Sequence, residues 1–379
     1  MNPVPLLDLQ RQYEQIREEV LAAIERVCAS QQFILGREVE ALEQDIASFT
    51  GAAAAVGCTS GTDALWLALQ AAGIQPGDAV VTTPFSFFAS ASAIARAGAR
   101  PVFVDIDPDT FNLHPALAET KLEHGGAGKV RAILPVHLYG QCADMDAIGR
   151  LADRFRLAVI EDAAQAIGAE WRGKRAGSLG AVAAFSFYPT KNLSAFGDAG
   201  MVTTMDTAFA EHMRRLRNHG SPRRYLHEEM GGNCRMDAIQ ATVLRVKLPH
   251  IETWNEKRRE RAAAYDRLFG ASGLVSGPDA PVRPPAVSPE SRHIYHQYVV
   301  RAQRRDELRQ FLADRKVGTE IYYPLPLHLQ PCFTYLGYRN GDLPESERAA
   351  KEVLALPMFP ELTESEQEWV VESVAEFYS

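Results

Sequence analysis

Lys191 stands two residues past Pro189 in Phe185-Ser-Phe-Tyr-Pro-Thr-Lys-Asn192, at the exit of a short apolar run over 183–187. The run reads as a buried strand and the proline ends it, so the lysine is carried on a turn leaving a sheet. Phe196-Gly-Asp-Ala-Gly200 is a flexible turn before a further apolar strand over 201–204. Asp162 follows another apolar run, Ala158-Val-Ile-Glu161. Thr59-Ser-Gly-Thr62 separates a small-residue strand over 53–58 from a strongly helical stretch starting at Asp63. The first N–H groups of that helix have no intrahelical partner, and its dipole adds positive potential, which suits a phosphate. Phe85, Phe87 and Phe88 follow one more strand, and Ser186 lies just ahead of Lys191. Taken singly, each feature has an ordinary reading. Lys191 would be a solvated charge, Asp162 an N-cap for 163–165, and the Thr59–Thr62 turn a plain helix cap. Taken together they are the parts that pyridoxal phosphate requires. An amine condenses with its aldehyde into a Schiff base. A carboxylate keeps the ring nitrogen protonated, so that the ring acts as an electron sink. A helix N-terminus with Ser186 holds the phosphate, and an aromatic face, Phe88 being one candidate, stacks on the ring.

These residues meet only if the chain brings several strand ends to one edge. Apolar runs over 80–83, 101–105, 132–136 and 157–160 alternate with helical stretches near 88–98, 115–122 and 144–155. Repeated βα units predict a mainly parallel sheet covered on both faces, with ligands at the carboxyl ends of its strands. His137 and Tyr139, after the run at 132–136, fall at the same edge. Ahead of the sheet, Tyr13, Ile16, Val20, Ile24 and Val27 recur at helical spacing, and a second helix is expected over about 38–49. A helix runs over 206–217. Residues 218–235 lack periodicity and form a long loop, a length that often carries function. A long helix begins near Asp237 and is broken by Pro249. A proline-rich stretch over 277–285 reads as a linker, followed by a strand over 295–301 and a helix over 304–314. The expected division is 1–250, a large domain with an N-terminal helix, and 251–379, a smaller α+β domain.

A net charge of −8 and the lack of any basic stripe argue against a nucleic-acid surface. No apolar run reaches transmembrane length, and the N-terminal stretch has no secretory pattern. Five widely spaced cysteines without a CxxC read as free thiols, so a cytoplasmic protein is expected. No metal site is expected; His293 and His296 fall on the predicted strand without a nearby carboxylate. Gly125-Gly-Ala-Gly-Lys129 does not satisfy a Walker loop, since Glu123 replaces its first glycine and Val130 its Ser/Thr.

Thr59-Ser-Gly-Thr-Asp-Ala-Leu65, Val159-Ile-Glu-Asp-Ala-Ala-Gln-Ala166, the stretch ending Thr-Lys-Asn192, Arg217-Asn-His-Gly220, Gly232-Asn-Cys-Arg-Met236, Phe33-Ile-Leu-Gly36 and Tyr322-Tyr-Pro-Leu-Pro-Leu-His328 are the stretches that carry a family resemblance. In them the chain resembles the DegT/DnrJ/EryC1/StrS family of pyridoxal-phosphate-dependent nucleotide-sugar aminotransferases. The resemblance implies an α/β fold of the fold-type I, aspartate-aminotransferase-like kind. It also implies a homodimer with active sites at the subunit interface. It makes Lys191 the Schiff-base lysine and Asp162 the ring-nitrogen partner. Gln165 lies near the phenolic oxygen, Phe88 stacks, and Ser60, Gly61, Thr62 and Ser186 hold the phosphate. Asn233 reaches the phosphate from the other subunit. Lysine at 191, where deoxygenating relatives carry histidine, favours transamination. The implied reaction moves an amine from L-glutamate to a keto-sugar nucleotide, dTDP- or UDP-linked. Residues 219–225 and 241–250 resemble members acting on 3-keto more than 4-keto sugars. Arg223, Arg224, Tyr225 and Arg235 are candidates to meet the diphosphate or an acidic sugar, since guanidinium matches phosphate and carboxylate forks. Tyr139, Tyr322 and His328 are further expected substrate contacts. The competing readings are a cofactor-binding regulatory protein and another lysine-dependent pyridoxal enzyme.

Overall fold

The computed structural model describes residues 3–124, 128–277 and 279–379. Met1 and Asn2, the glycines that open the Gly125–Lys129 stretch, and Pro278 of the expected linker lie outside them. The chain opens with helices α1 (Leu9–Ser30) and α2 (Arg37–Thr50). Asp8 caps α1 by accepting from the N–H groups of Gln10 and Arg11. Its buried stripe, Ile16, Val20, Ala23 and Val27, follows the helical repeat.

A βα succession follows: β1 (Ala54–Cys58), α3 (Gly61–Ala71), β2 (Ala79–Thr82), α4 (Ala89–Arg96), β3 (Arg100–Phe103), α5 (Pro115–Glu123), β4 (Val130–Leu134), α6 (Met145–Phe155) and β5 (Ala158–Asp162). A small hairpin, β6 (Glu170–Trp171) and β7 (Lys174–Arg175), leads to β8 (Val182–Ser186), β9 (Gly200–Thr204) and α7 (Thr207–Leu216). Seven of these strands form one sheet in the order β1-β9-β8-β5-β4-β2-β3. The pairs from β3 through β8 are parallel, and β9 is antiparallel to both neighbours. The sheet is therefore α/β and mainly parallel, as the alternation predicts. Its strands are apolar on both faces because helices cover both; β2 and β9 are buried along their whole length. Helix α3 is buried at Ala64, Leu65, Leu67, Ala68, Leu69 and Ala71 and exposes little to water. Because β9 runs backwards, its first residue, Gly200, lies opposite both Ser186 and Cys58. The start of β9 thus joins the carboxyl ends of its neighbours.

Pro249 falls in a single 3-10 turn between α8 (Ala238–Lys247) and α9 (Ile251–Ser272). The α-helix is interrupted there for one turn, as expected, and resumes at once. Strand β10 (Val282–Arg283), β12 (Tyr298–Ala302) and β13 (Val353–Leu356) make an antiparallel three-stranded sheet. It carries α10 (Arg305–Asp314), α11 (Pro344–Glu352) and α12 (Glu364–Tyr378). The strand expected from Tyr295 begins only at Tyr298, because Arg258 binds the carbonyls of Tyr295 and His296 and keeps them out of a ladder. Strand β11 (Ser291–Arg292) pairs with β6, and Val4 bridges to Val317, so both chain halves contribute to each other's edges.

The 218–235 segment is irregular, as expected, but it folds back on itself. Asn218 pairs with Asn233, the N–H of His219 donates to the carbonyl of Gly232, and that of Glu228 to Gly220. A Cβ on Gly231 would stand 2.3 Å from the nitrogen of Gly220, so the two limbs close only with glycine there. Its outer part leaves Tyr225 and Met230 at 83% and 93% exposure. Among the described residues no helix is long and apolar enough to cross a membrane, and no group of three or more His, Cys, Asp or Glu could hold a metal. The five cysteines are unpaired; Cys58, Cys142 and Cys234 are buried and Cys28 and Cys332 exposed.

Candidate active site

Helix α3 is pressed onto the sheet at its first turn. A Cβ on Gly61 would stand 2.6 Å from Cβ of Ser186, and one on Gly200 only 2.3 Å from the carbonyl oxygen of Ser60. Both positions require glycine for this close approach. Ser60 is the cap, its hydroxyl accepting from the N–H of Asp63 at 3.1 Å. Asp63 is held in turn by the Thr59 hydroxyl and the Arg96 guanidinium. The N–H groups of Gly61 and Thr62 have no partner among the described residues, and the Thr62 hydroxyl lies beside them. The Ser186 hydroxyl accepts weakly from the N–H of Tyr188 at 3.4 Å, which leaves its proton free to donate. Unfilled donors, a helix dipole and two hydroxyls at one strand end fit a phosphate.

Asp162, the last residue of β5, is buried. Ser90 on α4 donates to its Oδ2 at 2.7 Å, and the N–H of Ala164 to its Oδ1 at 3.2 Å. No helix starts at 163; Asp162 closes a turn instead of capping a helix. Burial raises its pKa, opposed first by the Ser90 hydrogen bond and then by Ala164 and the Lys191 amine. The Lys191 amine sits below the surface of its turn. Burial lowers its pKa to about 8, against the opposing pull of Asp162. An amine poised near neutrality beside a buried carboxylate is the pairing that pyridoxal chemistry requires.

Gln165 is buried with its amide committed on both sides. Its Oε1 accepts from the N–H of Tyr139 at 2.7 Å, and its Nε2 donates to the Tyr323 hydroxyl at 3.1 Å. One Nε2 proton remains available. Phe88 precedes the first residue of α4 with its ring partly exposed, 5.6 Å from Phe333. Phe85 is fully buried in the core and unavailable, and Phe87 lies 6.3 Å from Tyr323.

The expected substrate contacts divide into two groups. Tyr139 is buried and its hydroxyl donates to the Tyr322 carbonyl; burial holds its pKa well above the phenol value. His328 is buried with Nε2 on Glu347 at 3.0 Å. In the single chain both are packing groups, while Tyr322 stays half-buried beside Tyr323. Arg223, Arg224 and Tyr225 are exposed at the outer end of the 218–235 segment, with Arg224 over the Tyr225 ring at 4.9 Å. Arg235 donates to Asn218 at 3.2 Å, and Asn233 is exposed beside it. Arg223, Arg224 and Tyr225 lie on the outer end of the segment, while Asn233 and Arg235 flank Cys234, which is buried in the core. His137 is also a structural group. The N–H of Ala143 occupies its Nδ1, so Nε2 donates to Glu161, which also accepts from Gly177, Leu179 and Gly180.

Sequence reading missed Ser90, Tyr323 and His296. The Ser86–Ser90 pair, four residues apart across the start of α4 and joined at 2.8 Å, is the signal for the first. Tyr323 lies inside the quoted Tyr322–His328 stretch without being singled out, and nothing in the pattern of residues signals a role for His296.

The DegT/DnrJ/EryC1/StrS aminotransferase family model matches residues 14–375. The chain belongs to this family. Its members depend on pyridoxal phosphate, and so does this aminotransferase. The "pleiotropic regulatory protein" of Geobacillus stearothermophilus is 54% identical over 376 residues, 99% of this chain and 98% of that one. The dTDP-3-amino-3,4,6-trideoxy-α-D-glucose transaminase of Streptomyces venezuelae is 45% identical over 99% of this chain and 96% of its own. The crystal structure of S. venezuelae DesV with a ketimine intermediate superposes with a TM-score of 0.94 at 44% identity, covering 100% of this chain and 99% of that one.

Proposed function

We propose that this aminotransferase moves an amino group from L-glutamate to C-3 of a keto-deoxy sugar carried on a nucleoside diphosphate, dTDP or UDP. The observation that carries the reading is the Lys191 amine, buried within reach of the Asp162 charge on the turn that leaves β8 after Ser186. Support for the sugar comes from the name of the S. venezuelae transaminase, which carries its amine at C-3.

In this reading the chemistry supplied by bound pyridoxal phosphate is an electron sink for the carbon that gains or loses the amine. Gly61, Thr62, Ser60 and Ser186 hold its phosphate, and Asn233 of a second copy completes the cradle. Asp162 accepts from the ring nitrogen and keeps it protonated, with Ser90 fixing the direction of the carboxylate. Gln165 offers its remaining Nε2 proton to the phenolic oxygen, and Phe88 covers one face. Lys191 would hold the group through its amine and would take up and return the proton at the carbon that gains or loses the amine, a task that a pKa of about 8 suits. Arg223, Arg224, Tyr225 and Arg235 meet the diphosphate from across a homodimer interface, with Tyr322 near the sugar. Residues 1–250 form the cofactor-binding part and 251–379 the smaller part of a cytoplasmic enzyme.

The test is a panel of 3-keto and 4-keto sugars on dTDP and UDP, each with glutamate and the holoenzyme, with products read by mass. A 3-amino product supports the reading. Amination only at C-4 moves the specificity to the alternative. The name of the G. stearothermophilus relative favours a regulatory role as second reading, which predicts no turnover on any member of the panel.

A further inference from the structure

Lys191 and Asp162 lie on separate strand ends, and something must set their spacing. The two turns that carry them converge on one side chain of α9. Asn255 is fully buried; its Nδ2 donates to the carbonyl of Ile167 at 3.0 Å, on the turn that follows Asp162. Its Oδ1 accepts from Nδ2 of Asn192 at 2.8 Å, the residue next to Lys191. Oδ1 of Asn192 then accepts from Nδ1 of His296 at 3.1 Å.

The polarity of this chain follows from one end. A carbonyl can only accept, so Asn255 presents its nitrogen to Ile167 and its oxygen to Asn192. Asn192 must therefore present its nitrogen to Asn255 and its oxygen to His296, and the imidazole must carry its proton on Nδ1. Every buried polar atom along the line is used in one direction only. The backbone is shaped to admit it: Gly168 has φ +89°, and a Cβ there would stand 2.6 Å from Nδ2 of Asn255. One helical turn on, Arg258 donates to the carbonyls of Tyr295, His296 and Met358 at 3.2, 3.3 and 2.9 Å. A single face of α9 thus holds the Asp162 segment, the Lys191 turn and the His296 segment. Burial and the Lys191 charge hold His296 well below the ordinary imidazole pKa, so it stays neutral and adds no charge beside the amine.

We propose that Asn255 is a positioning residue for the reaction, fixing the Asp162 segment and the Lys191 turn at one spacing through Ile167 and Asn192. The proposal rests on the roles given above to Lys191 and Asp162. It differs from a purely structural role, which would affect folding but not the environment of the amine.

The test uses cofactor-free full-length protein, reductively methylated with formaldehyde and borohydride across a pH range, with the extent at Lys191 read by peptide mass. In wild type the midpoint is expected near pH 8. In Asn255→Ala and Asn192→Ala the turn loosens and water reaches the amine. The midpoint then rises by about one unit toward the ordinary lysine value. In the holoenzyme, kcat falls about tenfold or more with KM little changed, because the substrate contacts are untouched. Val370→Ala, buried on α12, serves as a control that costs stability and leaves the midpoint in place. Wild-type midpoints in folded Asn255→Ala and Asn192→Ala overturn the proposal. If Asn255→Ala does not fold, Asn192→Ala, which keeps the Ile167 bond, decides alone. Borohydride reduction of the wild-type holoenzyme separates the two levels: cofactor fixed on another lysine overturns the assignment of Lys191. Cofactor fixed on Lys191 with unmoved midpoints overturns only the role of Asn255.

Discussion

The hydroxyl of Ser90, on α4, donates to Oδ2 of Asp162 at the end of β5 across 2.7 Å, inside a site from which both residues exclude water. Burial raises the Asp162 pKa and this bond is the first force opposing it. In Ser90→Ala the opposition weakens and the pKa rises further, so the carboxylate is lost at higher pH. A hydrogen bond to a charged group is worth ~1.5–3 kcal/mol, so the acid limb of the kcat profile should move up by about one unit or more. Asp162→Asn, which cannot carry the charge at any pH, should lower turnover by about two or more powers of ten. An unmoved acid limb in Ser90→Ala would show that Asp162 does not set it.

Lys191 should be the residue to which borohydride fixes the cofactor, with the label located by peptide mapping. The amine is protonated below its pKa of about 8 and free above it. Uptake of pyridoxal phosphate by the cofactor-free enzyme should therefore accelerate as pH rises through 8, not through the value of an exposed lysine near 10.4. Stopped-flow absorbance across pH 6.5–10 checks this, and a midpoint above about 9.5 would remove the buried amine from the account.

Lys247 is a second buried lysine, and among the described residues no carboxylate pairs with it. Its amine donates to the Ser194 hydroxyl at 2.9 Å and lies 4.9 Å from the Phe196 ring. Burial lowers its pKa to about 8. The unfolded chain binds this proton up to about pH 10.4, so the charge opposes folding below pH 8, and that penalty fades between 8 and 10.4. Lys247→Met removes a penalty of ~3 kcal/mol together with a hydrogen bond worth ~1 kcal/mol. Cofactor-free Lys247→Met should be the more stable protein in urea at pH 7, with a smaller advantage at pH 9.5. Lower stability of the Met variant at pH 7 contradicts this balance.

A shared active site should reveal itself by complementation. Lys191→Ala and Asn233→Asp are each expected to be inactive, the second because it sets a negative charge beside the phosphate. If the two residues of one site come from different copies, a mixed dimer holds one site with both defects and one with neither. Random re-pairing makes about half the dimers mixed, so activity should return to roughly a quarter of wild type. With subunit exchange verified by a tag on one variant, no recovery places Asn233 and Lys191 in one chain's site or leaves Asn233 outside it.

Local chemistry made much of this protein legible in its sequence. The α/β alternation, the turn bearing Lys191 and the capped start of α3 follow from periodicity, Pro189 and Ser60, all near-neighbour effects that a linear reading can see. The motifs in their order also carried the family. Tertiary structure decided which polar residues were free to act. Tyr139 falls at the expected sheet edge and His328 in a motif segment, yet the Tyr139 hydroxyl is spent on the Tyr322 carbonyl and the His328 Nε2 on Glu347, partners 183 and 19 residues away. Ser90 and Asn255 lie in unremarked helical positions, and each acquires its role only when packing brings it to Asp162 or Asn192, 72 and 63 residues distant. Strands β10 and β13 also escaped, because a two-residue strand and a four-residue apolar run have too few residues to show a period. Residue type fixes which hydrogen bonds a side chain can make, while burial and the long-range pairing of segments decide which of them are made.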